Sequence, residues 1–266
     1  MAIPKTIHYC WFGNAQKPKN VLKCIASWKK YCPDYEIIEW NESNIDVNMN
    51  RYTKQAYDAK AWGFVPDYLR LWIIYNYGGV YLDTDVQIVK SFDGLLSNKA
   101  FCGFEAGYAE YGLYVALGLG FGAEAGNEII KKHMELYDGL SFINDDGSNN
   151  QIPSPNYTTD LLCEYGLNRY SDTIQQCGDF IVFPTDYFCP KRFSTGLTVL
   201  TENSYSIHHF DASWFDEEEQ ARKRDNWKKY ERIAFIHNVI HIPNRIAMSL
   251  MGKERYEKLK MIVKRK

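Results

Sequence analysis

The chain has 266 residues, enough for one large α/β domain or one and a half small ones. With 45% hydrophobic and 24% charged residues it is not a disordered chain, and a net charge of −2 argues against a basic nucleic-acid-binding domain. Its seven cysteines are odd in number and form no CxxC pair, which argues against a zinc knuckle or a CxxC redox site and fits scattered thiols in a reducing cytoplasm. The opening residues, MAIPKTIHYCWFG, lack a basic region followed by an apolar one, so no signal peptide is expected. No uncharged apolar run reaches the length of a membrane helix, so no membrane span is expected either.

Residues 3–13 read as a strand ending in a glycine turn, with Ile7, Tyr9 and Trp11 alternating with His8 and Cys10. In open α/β sheets ligands bind beyond the carboxyl ends of strands, which is where Trp11 and Gly13 would sit. Residues 20–31 have helical spacing, with Val21, Cys24, Ile25 and Trp28 on one face and Pro33 as the stop. A second strand follows over 35–40, then a polar loop over 44–50 and a helix over 54–62. Pro66 is placed to open a new helix, where its missing N–H costs nothing.

The next stretch, DYLRLWIIYNYGGVYLDTDVQ over 67–87, organises the chain. Asp67 and Arg70 are three apart and share a face of the predicted helix. By itself this spacing also suits a surface ion pair of small worth. After Gly78-Gly79 comes a strand, Val80-Tyr81-Leu82, and then Asp83-Thr84-Asp85. Two carboxylates one residue apart after a buried strand can hold a divalent metal against a diphosphate. In a continuing strand Asp83 and Asp85 would share one face. If the chain turns after Asp83, one can bind metal and the other a ribose or a metal-bound water. Spacing alone leaves both arrangements open. A bare DxD is weak, but DxD after YGGVYL with D-x-x-R upstream is far more specific.

Further strands are expected at 86–89, 100–105 and 180–183, and a helix over 127–139. Residues 113–122 alternate glycine with apolar residues, which suits close backbone approach but lacks a dinucleotide fingerprint. Residues 142–157 read as a loop or lid, and a helix is expected from Thr158, its threonines capping it or facing a sugar. Residues 185–193 read as irregular. In IHHFDASW over 207–214, adjacent strand histidines face opposite ways, so at most one readily reaches a given site. Residues 216–232 form a solvated helix with acid first and base later. The basic tail, 253–266, can form an amphipathic helix lying on an anionic membrane surface, or an ordinary terminal helix.

IPKTIHYCWFG, SWKKYCPDYEIIEWNE, PDYLRLWIIYNYGGVYLDTDV and IHHFDASW, in that order, resemble the sugar-binding DxD glycosyltransferases of family 32. That family includes bacterial capsule and O-antigen enzymes and is related more distantly to the large clostridial glucosylating toxins. The resemblance covers most of residues 1–214. It implies a GT-A fold, a Rossmann-like α/β/α sandwich with a mixed central sheet, over 1–214, with 215–266 as a C-terminal helical extension. It implies a nucleotide-sugar donor, usually UDP-linked, manganese or magnesium, and retention of anomeric configuration. Trp11 matches the aromatic that stacks on the base, Asp67 and Arg70 the pair holding the donor sugar, and Tyr81 a tyrosine before the DxD. Asp83 matches the carboxylate facing ribose and sugar, Asp85 the direct metal ligand, His209 the C-terminal metal ligand, and Trp214 the tryptophan near the leaving diphosphate. Pro66 is a departure, since relatives often carry a small residue before the Asp.

The function implied is transfer of a hexose or N-acetylhexosamine from a UDP-sugar to a saccharide acceptor in bacterial surface polysaccharide synthesis. The basic tail suggests a lipid-linked acceptor and a cytoplasmic protein at the inner face of the membrane. Two other classes use the same residues: a metal-dependent nucleotide-sugar hydrolase or phosphotransferase, and a non-catalytic sugar- or nucleotide-binding module.

Overall fold

The computed structural model describes residues 2–105, 112–211 and 216–251, with side chains described through residue 235. The chain divides into two compact units, residues 1–193 with 198–216, and residues 194–197 with 217–266. The first carries all the chemistry discussed below.

Its strands and helices alternate from the start: β1 (Thr6–Cys10), α1 (Lys19–Tyr31), β2 (Glu36–Trp40), α2 (Arg51–Asp58), α3 (Pro66–Tyr77) and β3 (Gly79–Tyr81). Then come β4 (Val86–Ile88), β5 (Ala100–Glu105), β6 (Tyr114–Val115), β7 (Phe121–Ala123) and α4 (Glu128–Asp138). The unit closes with α5 (Ser154–Glu164), β8 (Gln175–Cys177), β9 (Phe180–Phe183), α6 (Thr185–Phe188) and β10 (Ser206–His208). The main sheet has the order β2-β1-β3-β7-β5-β9-β8, with β6 paired to β5; β4 and β10 make a second, two-stranded sheet. The expectation of an α/β fold with a mixed central sheet therefore holds.

Strand direction positions the site. β1 runs parallel to both β2 and β3, with Ile7 opposite Val80 and His8 opposite Tyr81. The carboxyl ends of β1 and β3 therefore share one edge, and Trp11 and Asp83 emerge there. β7 is antiparallel to both β3 and β5, so β5 runs in the direction of β3. Gly79 and Ala100 both lie opposite Ala123, which sets the two strands at one level.

The turn into β3 needs its glycines. Gly78 and Gly79 have φ of 64° and 100°, a region that L side chains rarely adopt. A Cβ on Gly79 would also come within 2.8 Å of the Thr6 carbonyl and 2.9 Å of His8 Nε2. Pro66 opens α3 as expected, and Asp67 follows in its first turn, where the helix dipole favours a carboxylate. Almost every residue of α3 from Asp67 to Ile74 is buried, so the helix is clamped between sheet and neighbours rather than lying on the surface.

Several local expectations differ from the structure: the helix expected over 54–62 is α2, Arg51–Asp58. The helix expected from Thr158 begins at Ser154, with Pro155 in its first turn. Thr158 and Thr159 are buried within it, and their hydroxyls donate back to the Ser154 and Pro155 carbonyls at 3.1 and 2.6 Å, so neither caps the helix. Part of the stretch over 185–193 is helical, as α6. Residues 217–251 form one helix, α7 (Glu217–Met251), in the second unit. There Trp227 lies against Gly196, and Asn226 Nδ2 donates to the Ser194 carbonyl at 2.6 Å. The basic tail over 253–266 lies outside the described residues. Among the described residues no helix is long and apolar enough to cross a membrane.

Candidate active site at the end of β3

Asp67 and Arg70 are both 5% exposed. A surface ion pair would be solvated; this one is not. Arg70 Nη2 lies 3.0 Å from Asp67 Oδ1 and 3.5 Å from Asp83 Oδ1, so one guanidinium joins the first turn of α3 to the end of β3. Its carbon sits 5.2 Å from the centroid of the buried Tyr81 ring, and Arg70 Nε donates to the Pro66 carbonyl at 3.2 Å. Burial alone would make Arg70 easier to deprotonate, but Asp83, Tyr81 and Asp67 more than offset it and hold the charge on. Burial pushes the Asp67 carboxyl up to about 6, against the pull of Arg70.

Asp83 is held by its backbone. Its N–H donates to the Gly118 carbonyl at 2.9 Å, and its side chain is 30% exposed. Gly118 has to be glycine here: a Cβ would fall 1.9 Å from Asp83 Oδ2 and 3.1 Å from Arg70 Nη1. The glycine-apolar alternation over 113–122 is thus a close-approach device for the first DxD carboxylate.

The chain turns at Asp83-Thr84-Asp85 before β4. Of the two arrangements left open by the spacing, the turned one is present. Asp85 faces β10 and the residues after it. Its Oδ2 lies 3.2 Å from His208 Nε2 and accepts from the Asp211 N–H at 2.9 Å, and its carbonyl accepts from the His209 N–H at 3.0 Å. Burial opposes this charge, but His208 outweighs it and lowers the carboxyl to about 2. His208 is correspondingly raised to about 9, burial being outweighed by Asp85. The neighbouring His209 turns to Gln87, with Nε2 at 3.0 Å from Oε1. The family resemblance pointed to His209; the side chain set against Asp85 is His208. The Nδ1 of His208 is buried without a hydrogen-bond partner among the described residues.

Trp11 continues from β1, its N–H bonded to the Trp40 carbonyl at 2.9 Å and its indole N–H donating to the Ala15 carbonyl at 2.7 Å. Lys17 Nζ stands 5.5 Å from the indole centroid and 2.7 Å from Glu39 Oε2. The half-buried ring is therefore fixed at the sheet edge shared with Asp83. Trp214 lies outside the described residues.

A polar layer that sequence reasoning missed lies near Arg70 and Asp67. The Tyr137 hydroxyl and His133 Nε2 are buried without hydrogen-bond partners among the described residues, and the buried Tyr52 hydroxyl lies beside Asp67. The two tyrosine rings meet edge-on at 5.2 Å, and His133 is 5.6 Å from Tyr137. These residues come from α2 and α4, which meet directly beside α3.

Among the described residues no three His, Cys, Asp or Glu groups stand ready to enclose a metal. The donors that do converge, Asp85 with a histidine beside it and Asp83 one turn away, are oxygen and imidazole groups. Magnesium is usually held by one or two carboxylates plus substrate phosphates, and manganese accepts the same donors. The partial set fits an ion that arrives with a diphosphate.

Residues 18–102 match the glycosyltransferase sugar-binding region containing the DXD motif. Inositol phosphoceramide mannosyltransferase 3 of Schizosaccharomyces pombe is 33% identical over 107 residues, covering 37% of this chain and 29% of that protein. The initiation-specific alpha-1,6-mannosyltransferase of Candida albicans is 32% identical over 106 residues, covering 36% and 28%. The match thus spans less than a third of the length of either relative. Among solved structures, a PaToxG glycosyltransferase superposes with a TM-score of 0.49 at 22% identity, covering 61% of this chain and 70% of that one. The Asp67–Arg70–Asp83 assembly and the whole DxD fall inside the segment, residues 18–102, that matches the glycosyltransferase sugar-binding region containing the DXD motif.

Proposed function

We propose that this chain is a GT-A glycosyltransferase that moves a glycosyl group from a nucleotide sugar to a saccharide acceptor, with retention of configuration. The observation that carries the reading is the placement of one buried arginine between Asp67 and Asp83. Such an arginine can hold sugar hydroxyls through a carboxylate partner and offset negative charge developing on a leaving diphosphate.

In this reading Trp11 stacks on the base, Asp67 and Arg70 orient the donor sugar, and Asp83 faces ribose and sugar. Tyr81 backs Arg70. Asp85 and Asp83, with His208 or His209, would hold manganese or magnesium. When bound, that ion would offset the negative charge of the departing nucleotide. The acceptor oxygen bonds to the anomeric carbon on the face from which the diphosphate leaves. The anomeric carbon–phosphate oxygen bond breaks, and the hydroxyl proton passes to the departing phosphate.

UDP-linked hexoses or N-acetylhexosamines and a bacterial surface polysaccharide, made in the cytoplasm on a lipid-linked acceptor, remain the proposed setting. Because two relatives are named mannosyltransferases, a mannose-bearing nucleotide sugar is a second candidate donor. The test is nucleotide release from UDP-glucose, UDP-galactose, UDP-N-acetylglucosamine, UDP-N-acetylgalactosamine and GDP-mannose with manganese, with and without a panel of methyl glycosides. Release that rises with an acceptor supports transfer. Release that is equal without one supports hydrolysis and overturns the transferase reading.

A further inference from the structure

Glu105 is the last residue of β5, and nothing so far gives it a role. β5 runs in the direction of β3, and Gly79 and Ala100 share Ala123 as their opposite residue. Asp83 and Glu105 therefore leave the same edge of the sheet at nearly the same level, on either side of the line of β7. The charges of both His208 and Asp83 are felt at Glu105. Asp83 thus has Arg70 as a close opposite charge and Glu105 as a nearby like charge.

Glu105 is half-buried, yet no hydrogen bond or ion pair holds its carboxylate among the described residues. Burial, with Asp83 as a nearby like charge, raises its pKa against the opposing pull of His208. A carboxylate kept in such a place without a donor is poised to accept one.

Its surroundings have the makings of a sugar subsite. Tyr114 is the residue opposite Glu105 in the antiparallel pair of β5 and β6, so the two side chains share a face. The Arg169 guanidinium carbon lies 4.7 Å from the centroid of the Tyr114 ring. Arg169 Nη1 reaches Asp160 Oδ1 only loosely, at 3.5 Å, and its Nε is buried without a partner among the described residues. A hydrogen-bond acceptor, an aromatic ring and a guanidinium with spare donors are what a polyhydroxylated ring needs.

We propose that Glu105, Tyr114 and Arg169 form the acceptor subsite, Glu105 taking a hydrogen bond from an acceptor hydroxyl neighbouring the one that attacks. This rests on the transferase reading. The proton of the attacking hydroxyl leaves with the diphosphate; Glu105, through the neighbouring hydroxyl, orients the acceptor ring, and the Tyr114–Arg169 pair holds the rest of it. Neither Asp67 nor Arg70 is among the charges acting on Glu105, so acceptor and donor functions are separable.

The experiment compares two rates in wild type, Glu105→Gln and Arg169→Lys. One is slow cleavage of the nucleotide sugar by water; the other is the extra release produced by the methyl glycoside that stimulates wild type most. Both variants should keep water cleavage and nucleotide-sugar affinity within about twofold while stimulated release falls about tenfold or more with a raised acceptor KM. Loss of both rates together, or of neither, overturns the proposal. A folded wild type that cleaves a donor but is stimulated by no glycoside contradicts the transferase reading, and the subsite falls with it.

Discussion

Asp85 Oδ2 lies 3.2 Å from His208 Nε2, while the next residue, His209, turns its ring to Gln87 Oε1 at 3.0 Å. The Asp85 and His208 side chains are only 14% and 12% exposed, so each supplies most of the other's compensation for lost water. Removing one partner leaves a buried charge unpaired. His208→Ala should cost about 3 kcal/mol in denaturant unfolding, on the scale of other broken buried pairs. His209→Ala, which frees only a hydrogen bond to Gln87, should cost about 1 kcal/mol. Equal losses in the two variants would contradict this pairing.

Arg70 keeps two carboxylates from facing one another. Arg70→Lys preserves the charge but not the fork that reaches Asp67 and Asp83 together. Nucleotide-sugar turnover should fall about 100-fold or more in this variant, the scale seen when a preorganised donor is lost. Steady-state kinetics with a saturating donor would check it, and near-wild-type turnover would show that the bridge has no part in the chemistry.

Gly118 gives a sharper structural test. A methyl group there would overlap Asp83 Oδ2, so Gly118→Ala must displace the DxD carboxylate or the backbone that bonds to it. Overpacking of this kind costs about 1–3 kcal/mol. Donor affinity should fall about tenfold or more while the far-ultraviolet circular dichroism spectrum stays that of wild type. Gly139→Ala is the control: the nearest atom to its Cβ, the Leu136 carbonyl oxygen, is at 3.4 Å, and neither stability nor affinity should change appreciably.

His8 ties β1 to the β3 turn and predicts a pH dependence. The Trp40 indole N–H donates to His8 Nδ1 at 3.1 Å, which requires a neutral ring carrying its proton on Nε2. That Nε2–H donates to the Gly78 carbonyl at 3.0 Å. Burial lowers the pKa to about 4. A group depressed on folding contributes stability that is complete above its unfolded pKa of about 6.5 and is lost as pH falls towards 4. Wild type should therefore lose about 3 kcal/mol between pH 7 and pH 4 from this residue alone. His8→Asn should show a flatter acid limb in denaturant titrations. An identical limb in the variant would remove His8 from the account.

The two halves of the site differed in how readable they were. Asp67, Arg70, Asp83 and Asp85 lie within one stretch, where helix spacing, a glycine turn and a short strand set their relation locally. The use of Gly118 was also visible in kind, because alternating glycines suggest close approach, although its partner was not. The choice between His208 and His209 was hidden, since alternation on a strand places them on opposite faces without saying which face meets Asp85. Glu105 looked like any strand-end residue until strand order set β5 level with β3. Tyr52, His133 and Tyr137 carry no local signal, because α2 and α4 converge on α3 only in the folded chain. The early start of α5 was masked by its prolines, which read as loop although Pro155 sits in the first helical turn.

The most direct measurement is calorimetric titration of the nucleotide sugar that wild type cleaves, with manganese and then with a chelator, into wild type and Asp85→Asn. The account predicts binding to wild type that needs the metal and a loss of about tenfold or more in the variant. Equal affinity in the chelator, or unchanged affinity in Asp85→Asn, would contradict a metal-assisted nucleotide-sugar site at the end of β3.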